Sequence, residues 1–66
     1  MKLEPHIQAE IERIADTLPV PPLWKNKNPR AGQLNRAAGK MRAETKDRDL
    51  ARNLLRYENQ LVKDWL

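Results

Sequence analysis

The 66-residue chain contains no cysteine, no serine and no phenylalanine, and it has one histidine, His6. Without cysteine no disulfide forms, and a single histidine leaves too few of the usual ligands for a zinc site. The lack of serine and cysteine removes the two commonest nucleophiles, and His6 alone cannot build a catalytic triad. We therefore expect a protein that is not an enzyme and that binds neither a metal nor a cofactor.

Long apolar runs are missing as well. No stretch approaches the roughly 18 apolar residues of a membrane-spanning helix. The N-terminal segment also lacks the apolar core and the small-residue cleavage site of a signal peptide. With 33% charged and 39% hydrophobic residues, the composition is that of a globular chain and not of a disordered one. These features predict a cytoplasmic protein with no membrane association.

The first helix is predicted over residues 5–18, followed by a Pro-rich extended connector over 19–28. Four apolar residues recur in the helix at intervals of three and four: Ile7, Ile11, Ile14 and Leu18. This spacing is typical of an amphipathic helix, and Pro5 suits its first position. Pro19 forces the chain out of the helical region, and three of the first four connector residues are proline.

Two further helices are predicted over residues 29–43 and 47–65. Asn28 is the expected N-cap of the second helix, with Pro29 at its first position. The third helix carries a line of large apolar residues: Leu50, Leu54, Tyr57, Leu61 and Trp65. The sequence thus predicts an all-α fold, a small bundle of three helices forming a single domain over residues 1–66.

The boundary between the second and third helices contains no glycine or proline, so one continuous rod is the alternative prediction. On such a rod the two apolar stripes would lie about 150° apart and would bind different partners. A turn near residues 43–47 would let both stripes face one core. Thr45 or Asp47 is the expected cap of the helix that follows this turn.

Residues 33–50 resemble a helix-turn-helix motif. Gly39 stands where the motif has its turn, and the pattern Thr-x-x-Arg-x-Leu that begins at Thr45 is typical of a recognition helix. The match departs at Asn35, where the motif has a small residue, and at Thr45, which falls one residue late. We transfer no functional residue from this resemblance.

Positive charge is concentrated in the middle of the chain. The net charge is +4, yet residues 25–52 hold nine basic residues against three acidic ones. Seven residues form the predicted nucleic-acid-binding face: Lys25, Lys27, Arg36, Lys40, Arg48, Arg52 and Arg56. Arginine forks to phosphate oxygens, and amides interleaved with it, such as Asn59, can read base edges. The alternative is a solvated face that keeps a small protein soluble.

Neighbouring side chains are expected to modify this basic face. Glu44 lies four residues before Arg48, and Asp49 lies three residues before Arg52. Both pairs are expected to offset part of the like-charge repulsion along the third helix. Gln33 is expected on the exposed face of the second helix.

These features predict a small basic regulator that binds nucleic acid or a nucleoprotein complex. The alternative is a protein–protein adaptor or inhibitor, for example a phage- or plasmid-encoded factor that blocks a host protein. It would act through the Val20–Trp24 strip and the apolar face of the third helix. The residues predicted for this interface are Val20, Leu23, Trp24, Leu54, Tyr57, Leu61 and Trp65. The strip has a second interpretation, in which it lies across the helices and closes the core.

The third helix also predicts a homodimer. Its apolar stripe is wider than the isoleucine ridge of the first helix and the alanine-rich second helix are expected to cover. An uncovered stripe would leave an adhesive apolar patch in water. A symmetric contact between two copies would bury both stripes, with Trp65 at or near the interface.

Overall fold

The computed structural model describes residues 3–20 and 28–65, with side chains as far as Lys63. It contains three α-helices: α1 (Pro5–Ala15), α2 (Pro29–Glu44) and α3 (Arg48–Trp65). No strand occurs in these two ranges. The predicted all-α fold with three helices is confirmed, while most of the predicted connector lies outside the described residues.

The first helix ends three residues earlier than predicted. Its start at Pro5 agrees with the prediction, but the helix closes at Ala15 and the chain turns over residues 16–18. Thr17 accounts for this end, because both its backbone N–H and its hydroxyl donate to the carbonyl oxygen of Ile14, at 3.0 and 2.7 Å. Such tight bonds satisfy the last carbonyls of a helix and so terminate it.

The start of α2 is set by Asn28 and Pro29, as predicted. The Asn28 side-chain oxygen accepts a hydrogen bond of 3.1 Å from the backbone N–H of Ala31. Pro29 occupies the first helical position, where its missing N–H would have no partner in any case. The two residues together fix where the helix begins.

A break at residues 45–47 separates α2 from α3, so the continuous rod is wrong. Thr45 adopts an extended conformation and its hydroxyl accepts from the backbone N–H of Asp47 at 3.1 Å. One carboxylate oxygen of Asp47 then accepts from the N–H groups of Asp49 and Leu50, at 3.0 and 3.2 Å. Of the two candidate caps, Asp47 therefore caps the start of α3, while the Thr45 hydroxyl bonds within the turn before it.

The core forms where α2 packs against both other helices. Ile11 of α1 and Leu54 of α3 are fully buried, together with the small residues Ala15, Ala37 and Ala38. Because alanine side chains are short, the neighbouring helices can approach the α2 backbone closely. Partly buried side chains complete the core: Leu3, Ile7, Ile14, Leu18, Leu34, Met41, Leu50 and Tyr57.

Polar side chains tie the helices together at the edges of the core. Gln33 is 8% exposed, and its amide nitrogen donates to the carbonyl oxygen of Leu18 at 3.1 Å. The prediction that Gln33 lies on the exposed face is therefore wrong, because its amide satisfies a carbonyl at the end of α1. Asn35 donates in the same way to the carbonyl oxygen of Glu58 at 3.0 Å.

Gly39 lies inside α2 and not in a turn, so the resemblance to a helix-turn-helix does not hold at that position. A Cβ atom at Gly39 would lie 3.1 Å from a carboxylate oxygen of Glu58. That carboxylate accepts a hydrogen bond of 2.6 Å from the Nε of Arg42. The glycine thus gives Glu58 room to cross from α3 to α2.

None of the helices in the described part of the chain is long and apolar enough to span a membrane.

Candidate nucleic-acid interface

Three arginines of α3 lie on the face that points away from the core. Arg48, Arg52 and Arg56 are all exposed, while Leu54 on the opposite side is fully buried. Each arginine follows the previous one by four residues, so they form one row about 12 Å long. The predicted arginine face of the third helix is thus present as an exposed row.

Asn59 and Lys63 extend the same row toward the end of α3. Both side chains are exposed. Asn59 lies seven residues after Arg52, which places the two side chains about 20° apart around the helix and about 10.5 Å apart along it. An amide therefore stands on the line of the arginine row.

Arg36 and Lys40 form a second, shorter exposed row on α2. They are one turn apart, on the side of α2 that its contacts with α1 and α3 leave open. Gln33, which was predicted beside them, points toward α1 instead. The predicted basic residues that the structure describes therefore fall on two helices, three on α3 and two on α2. Lys25 and Lys27 lie outside the described residues.

The ion pairs of the described residues divide the arginines into two groups. Arg30 contacts Asp16 at 2.9 Å and Arg42 contacts Glu58 at 2.6 Å, while Arg13 pairs with Glu10 on the same helix. Hydrogen bonding to Arg13 lowers the pKa of the Glu10 carboxyl. In the same way, hydrogen bonding to Glu58 raises the pKa of the Arg42 guanidinium. Each of these three arginines therefore has a carboxylate partner within the chain.

The second group consists of the predicted binding residues. Within the described ranges, no carboxylate lies within 4 Å of a basic nitrogen in any member of this group. The members are Arg36, Lys40, Arg48, Arg52 and Arg56.

Glu44 and Asp49, which were expected to offset part of the repulsion, form no ion pair with Arg48 or Arg52. Exposed pairs of this kind gain little, because ordering two long side chains offsets most of the attraction.

The apolar residues predicted for a partner interface are mostly used within the chain. Leu54 is 0% exposed and Leu61 is also buried, and Tyr57 packs against the core while its hydroxyl accepts from Gln8 at 3.1 Å. Val20, by contrast, is 66% exposed. Leu23, Trp24 and the side chain of Trp65 lie outside the described residues.

Leu55 is an exposed apolar residue of the third helix's apolar stripe, although it was not among the seven residues predicted for the partner interface. It is 45% exposed, although it follows the fully buried Leu54 directly. One residue turns the helix by about 100°, and this carries Leu55 to the border of the arginine row. Its phase relative to Leu50 and Leu54 was the signal that could have identified it.

A cleft of about 280 Å³ opens between the N-terminal ends of α1 and α3. It is lined by Leu3, Glu4, His6, Ile7, Asp47, Asp49, Leu50 and Asn53. His6 lies 3.3 Å from Glu4. No group of three metal-ligating side chains is found among the described residues, here or elsewhere. The acidic rim of this cleft sets it apart from the basic rows.

The basic rows can bind anions through charge and hydrogen bonds. Guanidinium groups fork to phosphate oxygens, and three of them in a 12 Å row match the spacing of several phosphates along a nucleic-acid strand, about 3.4 Å of axis per charge. Comparisons of the chain with protein-family models, curated proteins and solved structures find no match.

Proposed function

We propose that the protein is a small regulator without enzymatic activity that binds nucleic acid, alone or within a nucleoprotein complex, in the cytoplasm. The supporting observation is the division of the arginines. Three arginines elsewhere in the described chain have carboxylate partners, whereas Arg48, Arg52 and Arg56 share one face without any among the described residues. A merely solubilising surface does not require such a row.

The row carries an electrostatic cost that phosphate would remove. Like charges four residues apart on a helix destabilise it by about 0.2–0.5 kcal/mol for each pair. Arg48 is also the first residue of α3, where the helix dipole disfavours a cation. Phosphates laid along the row would neutralise both effects and release condensed counterions, which is the main source of non-specific affinity for nucleic acid.

Binding is expected to weaken steeply with salt. If the five predicted binding residues that the structure describes each contact one phosphate of duplex DNA, log Kobs plotted against log[salt] has a slope of about −4.5. That slope corresponds to a loss of about 500-fold between 50 and 200 mM salt. Fluorescence anisotropy with labelled duplex DNA, single-stranded DNA and RNA measures it. Failure of all three to bind at about 50 mM salt would contradict the proposal.

A protein partner is the second candidate, and the exposure of Val20 and Leu55 favours it. In that case the protein is an adaptor or an inhibitor. Leu55, at the border of the arginine row, would contact the partner in place of the predicted Leu54 and Leu61, which are buried. Its binding would depend on Leu55 and little on salt, which distinguishes it from phosphate binding.

The homodimer stays a prediction, with Leu55 as the described α3 residue best placed for the contact. Sedimentation equilibrium is expected to show a dimer mass, and Leu55→Glu is expected to shift it toward the monomer because it buries a charge in the contact. Leu55→Ala, which removes apolar area without adding charge, is the graded control. A wild-type monomer that persists to about 100 µM, a concentration at which a contact worth more than about 5.5 kcal/mol would be populated, contradicts the dimer.

A further inference from the structure

We infer that the nucleic acid is duplex DNA and that α3 enters its major groove with Arg52 and Asn59 toward the base edges. The inference rests on the proposed function and adds to it the ligand class and the residues that read sequence. It follows from the exposure of the α3 face, from the order of side chains along it, and from the packing of Tyr57 against the core.

The arginine face of α3 is exposed along its length. On the other side of the helix, α2 packs against α3 near Leu54 and Glu58, and α1 contacts it through Gln8 and Tyr57. A helix with its side chains is about 10–12 Å across, and the major groove of B-DNA is about 12 Å wide. The major groove of A-form RNA is too deep and narrow for side chains to read. The shape therefore favours duplex DNA.

The order of side chains around α3 separates base readers from phosphate binders. Arg52 lies near the centre of the exposed face, and Asn59 lies about 20° to one side of it, between Arg52 and Arg48. Arg48 and Arg56 lie about 40° to either side of Arg52, toward the groove walls. A central residue in this arrangement faces the bases, while a flanking one faces the backbone.

The side chains of Arg52 and Asn59 have the chemistry needed to bind base edges in the major groove. Arginine forms two hydrogen bonds to guanine, and asparagine forms two to adenine. Their separation of about 10.5 Å corresponds to about three base pairs at 3.4 Å each. Asn59 is exposed and forms no hydrogen bond with another described residue, so its amide is available.

Single strands fit the described surface less well. Proteins bind single strands by stacking bases on exposed aromatic side chains. Tyr57 is partly buried against the core and is held there by Gln8. No other aromatic side chain belongs to the described part of the chain, so single-stranded ligands are included in the test.

The experiment has two arms on the full chain. In the first, the affinities for duplex DNA, duplex RNA and single-stranded DNA of one sequence are compared at fixed salt, and duplex DNA is expected to bind most tightly. In the second, a randomised duplex DNA pool is selected with the wild type, with Asn59→Ala and with Gln60→Ala. Gln60 is exposed and adjacent but about 100° away, so it is the matched control.

The wild type is expected to select an adenine at one position, and Asn59→Ala to lose that preference by about 5- to 150-fold while keeping its affinity for random duplex. Gln60→Ala should select the same motif as the wild type. Tighter binding of duplex RNA or of single strands overturns the inference but leaves the proposed function standing. A motif unchanged by Asn59→Ala also overturns it. If no nucleic acid binds in the first arm, the proposed function fails as well.

Discussion

Leu54→Ala is expected to unfold most of the protein at room temperature, whereas Leu55→Ala, at the next position, is expected to have little effect on stability. Leu54 is 0% exposed and Leu55 is 45% exposed. Truncating a buried leucine to alanine costs about 2–5 kcal/mol. A core in a chain of this size rarely supplies more than about 3–5 kcal/mol. The first substitution therefore removes most or all of the net stability.

The free energy of unfolding of the two variants is measured by urea denaturation, with the circular dichroism signal of the helices as the readout. The two variants lose the same atoms from adjacent residues, so helix propensity and composition are matched between them. Leu55→Ala is expected to change the free energy of unfolding by less than about 1 kcal/mol, because its side chain already contacts water. Equal losses in both variants would show that the phase of α3 differs from the one described.

The helices themselves could be predicted because apolar spacing records which side of a helix is buried. The phase difference between the stripes of α2 and α3 also predicted the break between them, although no glycine or proline marks it. Asp47 was identified as a candidate cap because capping depends on residue type and on a separation of two or three residues. Local chemistry of this kind is readable from sequence.

Features that depend on contacts between helices could not be predicted in the same way. Gln33 looked like a surface residue, yet it donates to Leu18, fifteen residues earlier. The second helix was predicted to run through Gly39, yet the sequence did not show that this glycine makes room for Glu58. In both cases the partner is distant along the chain, and its position is set by how the helices pack.

The candidate site shows the same division. The arginine row of α3 follows directly from a spacing of four residues and was predicted correctly as exposed. The pairing of Arg30 with Asp16 and of Arg42 with Glu58 was not predicted, because each pair joins two helices. Without these pairs the sequence presents a general excess of positive charge. With them, the cations that lack a carboxylate partner among the described residues are distinguished from those that have one.

The double variant Arg52→Glu with Arg56→Glu is expected to bind nucleic acid at least about 100-fold more weakly than the wild type at 50 mM salt. The variant loses two contacts to the nucleic acid, one to phosphate at Arg56 and one to phosphate or to a base edge at Arg52, and its two new carboxylates add repulsion. Both side chains are exposed on the face opposite Leu54, so the fold is expected to remain intact. Anisotropy measures the affinity, and circular dichroism of the same samples confirms the helicity.

The control for this variant is the double variant Arg13→Glu with Arg30→Glu. It changes the net charge by the same amount, but at two exposed arginines that already have carboxylate partners. If the long-range field of the whole protein dominates binding, both double variants lose affinity equally. If the row on α3 makes the contacts, the control keeps most of its affinity and of its salt slope, while the slope of the Arg52 and Arg56 variant falls by about one unit for each phosphate contact that it loses. Equal losses would contradict a local site.

The double variant Lys25→Glu with Lys27→Glu is expected to lose less affinity for nucleic acid than the Arg52 and Arg56 variant. A larger loss of affinity in the lysine variant would show that the main contact lies in the connector.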